Sequence, residues 1–327
     1  MRSIVALAVR ALIALALCAG FVGAADAQDY PQRLVRFIVP FPPGGGVDLV
    51  IRAAAQELSS KWGTPVIVEN RTGAGGTIGT EVVYRAAPDG YTLLATVNQT
   101  ITTAPYLFKS MQYDPAKLIP VTLMVQSDNF VLAHPSVPAN SLRDLVELVK
   151  KEPKKWNFGS FGRGSQPQLL FEYLNSKEGL DLLHIPYNGI SPLLIAMITG
   201  EVSFATGSAG VAGEFLRAGK LKALAIAGKK RSPQFPDVPT TEEAGFGYLQ
   251  SSIWYAVFAP PGTPVEIVRK VGGDLQTILR RSDFVQQQIA SKGLDSVAST
   301  SEELAVVVQK ETAALKTMID AAKIQPE

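Results

Sequence analysis

Cysteine is almost absent. Cys18 is the only one in 327 residues. Residues 1–27 read as a removable leader, so the exported chain would carry no thiol. That excludes disulfide staples, thiol catalysis and cysteine-ligated zinc. Histidine is scarce too: His134 and His184 each adjoin a strand pattern and a nearby proline, which reads as packing or boundary use rather than acid–base or metal work. Charged residues make up 18% of the chain and the formal net charge is +2, so there is no basic field for nucleic acid. The catalytic and phosphate-binding motifs are missing as well. Gly207-Ser208-Ala209-Gly210 has the wrong order for a nucleophile elbow. Gly73, Gly75 and Gly79 approach a dinucleotide fingerprint, but Ile78 stands at its third glycine position, and Gly162 and Gly164 fail with Pro167 there. No Walker A sequence occurs. With no nucleophile, base, metal set or cofactor motif, the chain reads as one that holds a molecule rather than converting it, with no cofactor.

The one long apolar run lies at the start. Arg2 precedes it, it extends from Ala11 to Val22, and Ala25-Asp26-Ala27 follows as a small-x-small cleavage site. This is the pattern of a secretory signal peptide. Arg10 interrupts the run and argues against a permanent anchor. The bulky Leu17 before Cys18 argues against lipid attachment. The expected fate is export without a lipid anchor, and the resemblance described below makes the destination the periplasm.

What remains is long enough for two domains with sizeable cores, and 46% of the full chain is hydrophobic. From Leu34 onward, strand and helix patterns alternate, which predicts an α/β fold with mostly parallel sheets. The chain is organised around Pro40-Phe41-Pro42-Pro43-Gly44-Gly45-Gly46-Val47-Asp48. An apolar run, 34–39, precedes it and a helix-period segment, 49–62, follows. The glycines allow close approach, and the first-turn N–H groups of the helix favour a negative guest. The same pattern suits a tight turn that only packs strand on helix, and the stretch alone does not separate the two. Gly73-Ala74-Gly75-Gly76-Thr77 forms a second corner, with Thr77 expected to cap the next helix. Strands are expected at 91–97, 119–125 and 130–133. Ser141 should cap a helix over 142–151. The corner theme returns at Gly159-Ser160-Phe161-Gly162-Arg163-Gly164-Ser165, before a helix over 166–176. Two such corners about a hundred residues apart suggest two lobes sharing a cleft at strand C-terminal ends. Crossings near Asn129 and Ser252 divide the chain into lobe 1 (28–129 plus 253–327) and lobe 2 (130–252).

At these residues the chain resembles a known family. Phe41 to Asp48, Val68-Glu69-Asn70-Arg71, Pro88-Asp89-Gly90-Tyr91, Gly159 to Ser165, Pro186-Tyr187-Asn188-Gly189 and Pro236-Asp237-Val238-Pro239-Thr240 stand in the order found in the solute receptors of tripartite tricarboxylate transporters, the Bug family of periplasmic binding proteins. The resemblance implies a type II-like, two-lobed binding protein with a ligand cleft between the lobes. It implies a small organic anion held by backbone N–H groups, small hydroxyl residues and waters, and delivery to the transporter's membrane permease subunits by a monomer. Carried onto this sequence, the lobe 1 contacts are Pro43, Gly44, Gly45, Asp48, Gly75, Gly76, Thr77, Thr96 and Asn98. The lobe 2 contacts are Ser160, Phe161, Arg163, Gly164, Ser165, Tyr187, Asn188, Gly207 and Ser208. Many relatives have histidine where this chain has Gln168, and acidic residues where it has Ser203 and Gly207. The missing carboxylate argues against an amino-acid ligand. Arg163 can pair bidentately with a carboxylate or be solvated. Phe161 and Tyr187 can flank a ring or pack. The expected ligand is therefore a dicarboxylate, with aromatic acids such as terephthalate among the candidates. The competing readings are a ligand-sensing receptor for a membrane signalling protein and a secreted hydrolase on the same scaffold.

Overall fold

The apolar run after Leu34 forms strand β1 (Val35–Val39), and the glycine-rich corner leads into helix α1 (Gly46–Trp62). The structure, a computed structural model, describes residues 30–162, 164–187, 189–228 and 230–321. The leader, Cys18 and the cleavage site lie outside the described residues, as do Arg163 and Asn188. Along β1, Val35, Phe37 and Val39 enter one core while Ile38 enters another. The face that carries Ile38 is covered only at that end of the strand, since Arg36 on the same face is exposed. β2 (Val66–Asn70) and β3 (Thr92–Val97) flank β1 in parallel. Helix α2 (Thr77–Tyr84) packs alongside. Its N-cap is Gly76, not Thr77. Thr77 already has helical backbone angles, and its hydroxyl turns back to the Ala74 carbonyl, 2.9 Å away. After β3, residues 99–107 are helical, ending in α3 (Ala104–Leu107).

β4 (Ile119–Ala133) is one strand of 15 residues, not two. The polar stretch Gln126–Asn129 looked like a break. It is where the strand changes partners. Up to Asp128 it pairs antiparallel with β9 (Ser252–Ala259). From Asn129 it pairs antiparallel with β7 (Phe204–Ser208) and β8 (Lys222–Ile226). β5 (Asn157–Ser160) pairs in parallel with β6 (Leu183–Pro186) and with β7. The strand order is β2-β1-β3-β9-β4-β7-β5-β6. The sheet is therefore mixed: parallel in the outer strands of each lobe, antiparallel where the chain crosses between them.

In lobe 2, Val131 and Ala133 face a core with α4 (Leu142–Lys151) and α5 (Gln166–Glu178). Phe130 and Leu132 face a core with α6 (Ile190–Thr199) and α7 (Ala209–Arg217). α4 shows how local chemistry sets an element. The Ser141 hydroxyl accepts the Asp144 N–H, and the Asp144 carboxylate accepts the Asn140 N–H. Leu142, Leu145, Val146 and Val149 make a buried stripe at helical spacing. Each such side chain contributes about 1.5–3 kcal/mol by burial. α8 (Val265–Leu279) covers lobe 1, and α9 (Ser301–Ala321) runs from lobe 1 onto lobe 2. At the crossings, Asn129 Nδ2 donates to Ser251 Oγ, which donates to Gln166 Oε1, each at 3.0 Å. Both interlobe strands are thereby tied to the first residue of α5.

Candidate ligand-binding site

The first corner is held from below by Asp48, which is 1% exposed. Its carboxylate accepts the Gly44 N–H at 2.9 Å, the Arg52 guanidinium on both oxygens and Asn70 Nδ2 at 2.9 Å. Asn70 Nδ2 also reaches the Phe41 carbonyl. Burial pushes the Asp48 carboxyl up, but Arg52, the Gly44 N–H and Asn70 outweigh it and hold it below the usual carboxylate value. Asp48 therefore shapes the loop and has no oxygen left over for a donor on a guest. Gly44 needs its φ of +83° for the turn. Pro43 and Gly44 sit at the exposed tip, with Gly45 behind them. The helix begins at Gly46, three residues earlier than its apolar periodicity suggests. The first-turn N–H groups of Gly46, Val47 and Asp48 have no carbonyl above them, as at any helix start.

The second corner meets the first. A Cβ on Gly76 would lie 2.7 Å from the Thr100 methyl and 3.0 Å from the Phe41 ring. One on Gly75 would lie 3.5 Å from Gln99 Nε2. Gly75 and Gly76 both have positive φ. Asn98 follows β3 at the same place, but both of its amide hydrogens are used, on the Ser252 carbonyl and on Glu311 Oε1. Only its oxygen remains to offer a guest. The Thr96 hydroxyl is paired with Thr100 at 2.8 Å.

In lobe 2, Ser160 Oγ lies 2.7 Å from His184 Nε2, and His184 stacks on Phe158. The Gly162 carbonyl accepts the Ser165 hydroxyl at 2.6 Å, and Gln168 Oε1 accepts the Gly164 N–H at 2.7 Å. Gln168, noted above as a departure, thus shapes the loop. Phe161 and Tyr187 pack on the α6–α7 core, and the Tyr187 hydroxyl donates to Glu201. Gly207 and Ser208 end β7, and the Ser208 side chain makes no cap bond to α7.

The lobes meet through this loop. A Cβ on Gly164 would fall 2.1 Å from Leu107 Cδ1 and 3.3 Å from the Thr103 methyl. Gly164 therefore abuts the 99–107 segment, which itself touches Gly75 and Gly76. A second seam lies where Gly210 backs onto the Lys292 carbonyl. Sequence reasoning passed over several groups here. The Thr103 and Thr206 hydroxyls are buried with no hydrogen-bond partner, and the Tyr255 phenol lies directly on Gly46. Threonine in a helix or strand carries no local signal of this kind; only the fold brings these side chains to the loops. Among the described residues no group of three or more His, Cys, Asp or Glu could hold a metal.

Residues 50–324 match the family model described as the tripartite tricarboxylate transporter family receptor. A UPF0065 protein of Bordetella pertussis is 35% identical over 317 residues, 97% of each chain. MatC of Rhodopseudomonas palustris, solved with bound malate, is 33% identical with a TM-score of 0.81, covering 89% of this chain and 100% of its own. An R. palustris protein solved with adipate is 28% identical with a TM-score of 0.85, covering 91% and 100%. The chain belongs to the tripartite tricarboxylate transporter receptor family, and it is a receptor rather than an enzyme.

Proposed function

We propose that this receptor captures a small dicarboxylate in the periplasm and delivers it to the membrane subunits of a tripartite tricarboxylate-type transporter. The observation that carries the reading is the meeting of Phe41, Gly75, Gly76 and Gly164 around Gln99, Thr100, Thr103 and Leu107, beside the corner that Asp48 braces. Their loops bring a helix start and small side chains to one place, a setting that favours an anionic guest. Malate and adipate in two related structures support the ligand class. On this reading the lobes are 28–129 plus 253–327 and 130–252, joined near Asn129 and Ser252, and they close on the acid from both sides. Residues 1–27 would be removed on export. No helix among the described residues is long and apolar enough to cross a membrane.

Calorimetry on the mature protein with malate, adipate, terephthalate and a set of amino acids tests the class. Binding of at least one dicarboxylate, recovered chemically unchanged, is expected. Binding of amino acids alone would sink the proposal. N-terminal sequencing of the periplasmic protein, with Gln28 expected first, tests the leader.

A further inference from the structure

The glycine at position 46 has a specific neighbour. An ideal Cβ there would fall 2.2 Å from the Tyr255 hydroxyl oxygen and 2.8 Å from Cζ. Tyr255 stands on β9, opposite Val97 of β3 and Val125 of β4. It is 5% exposed. Strand alternation sends the neighbouring Trp254 to the opposite core. Other buried aromatic donors nearby find acceptors. Tyr113 donates to the Thr100 carbonyl at 2.8 Å, and Trp254 donates to Glu311. The Tyr255 hydroxyl has no hydrogen-bond partner among the described residues. Burial alone pushes its pKa up to about 12, with no hydrogen bond contributing. It therefore remains an O–H donor throughout the neutral range.

The Tyr255 ring is buried, but its hydroxyl is not among the enclosed unpartnered oxygens, those of Thr103 and Thr206, so it keeps an accessible edge at which a guest can meet it. Here an unpartnered hydroxyl rests against the first turn of a 17-residue helix, whose own leading N–H groups lack carbonyls. The carboxylate of Asp48, the acidic group within that turn, is already filled by Gly44, Arg52 and Asn70. The turn thus offers donors, and its one carboxylate is already filled. We propose that Tyr255 is a ligand-contact residue, its hydroxyl donating to a carboxylate oxygen of the acid seated at the start of α1. This rests on the carboxylate-receptor reading above. It also gives Gly46 a reason independent of turn geometry: any side chain there would push the phenol off the helix start.

The test is Tyr255→Phe, which removes one oxygen and keeps the ring. Malate and adipate are the probes, titrated at pH 7 into wild type and variant. The ligand-free melting temperature is read alongside to show that the variant is folded. The wild type is expected to bind at least one acid, and Tyr255→Phe to bind that acid about tenfold or more weakly, as for a lost hydrogen bond to a charged group. Gly46→Ala, which displaces the phenol without deleting it, should weaken the same acid by at least as much. Equal affinity in wild type and Tyr255→Phe would overturn the assignment and leave the receptor reading intact. Failure of the wild type to bind any of the dicarboxylates would remove both.

Discussion

Asp48 stands where a ligand contact was expected, and its carboxylate is fully engaged within the chain. Its place after the glycines marks it as a site residue, yet the folded chain uses it as a brace for Gly44, Arg52 and Asn70. Asp48→Asn should destabilise the protein by about 2 kcal/mol at pH 7, because it breaks charge-assisted bonds in a buried setting, as read by urea unfolding. The pH dependence has a definite sign. The folded carboxyl is held below its ordinary value. Its contribution is therefore present above the unfolded value of about 3.9 and is lost as pH falls through the lower folded value. The gap between wild type and Asp48→Asn should stay constant from pH 7 down to about pH 5 and shrink only in more acidic solution. Asn98, named as a contact without a stated role, is braced likewise, since its two N–H bonds go to Ser252 and Glu311. These braces need partners that lie tens or hundreds of residues away along the chain.

Among the elements, α9 and the 160–165 loop bear most on how the lobes are set. Glu311 of α9 accepts from Asn98, Thr102 and Trp254, while Leu315 and Ile319 further along pack on Leu107 and Leu169. Glu311→Ala leaves those donors without their acceptor. It should cost about 2–3 kcal/mol and shift tryptophan emission through the loss of the Trp254 bond. Burial outweighs the donors and raises the Glu311 pKa, so its sign is opposite to that of Asp48. Stability from this group is present below its ordinary value and falls as pH rises through the raised one. In the loop, Gly164 has φ +71° and lies against Leu107. Gly164→Ala should lower stability by about 1–3 kcal/mol through overpacking. Trimming Leu107 to Ala in the same chain should make the double variant less damaged than the sum of the two single changes, as measured in a double-mutant cycle of thermal or urea melts. Element identity was legible where periodicity was long, as in α1 and α4. β4 was misdivided because its polar middle looks like a turn when its two sets of partners are unknown.

For the whole molecule, a cleft that closes on its ligand predicts two linked readouts. X-ray scattering should show a smaller radius of gyration with malate or adipate bound than without, and an unchanged value on binding would argue against lobe closure. Ligand at about 100 times its Kd should stabilise the fold by about 2.7 kcal/mol, raising the melting temperature by a few degrees. The amino-acid sequence by itself determined the α/β class and the glycine-rich corners. Those follow from local pattern: apolar runs, helical spacing and glycine where the chain must turn. Only the tertiary structure decided which side chains brace the loops. That choice depends on whether distant atoms such as Asn70, Glu311 and Tyr255 arrive within hydrogen-bonding reach, and spacing along a chain carries no information about that until the sheet has brought its strands together.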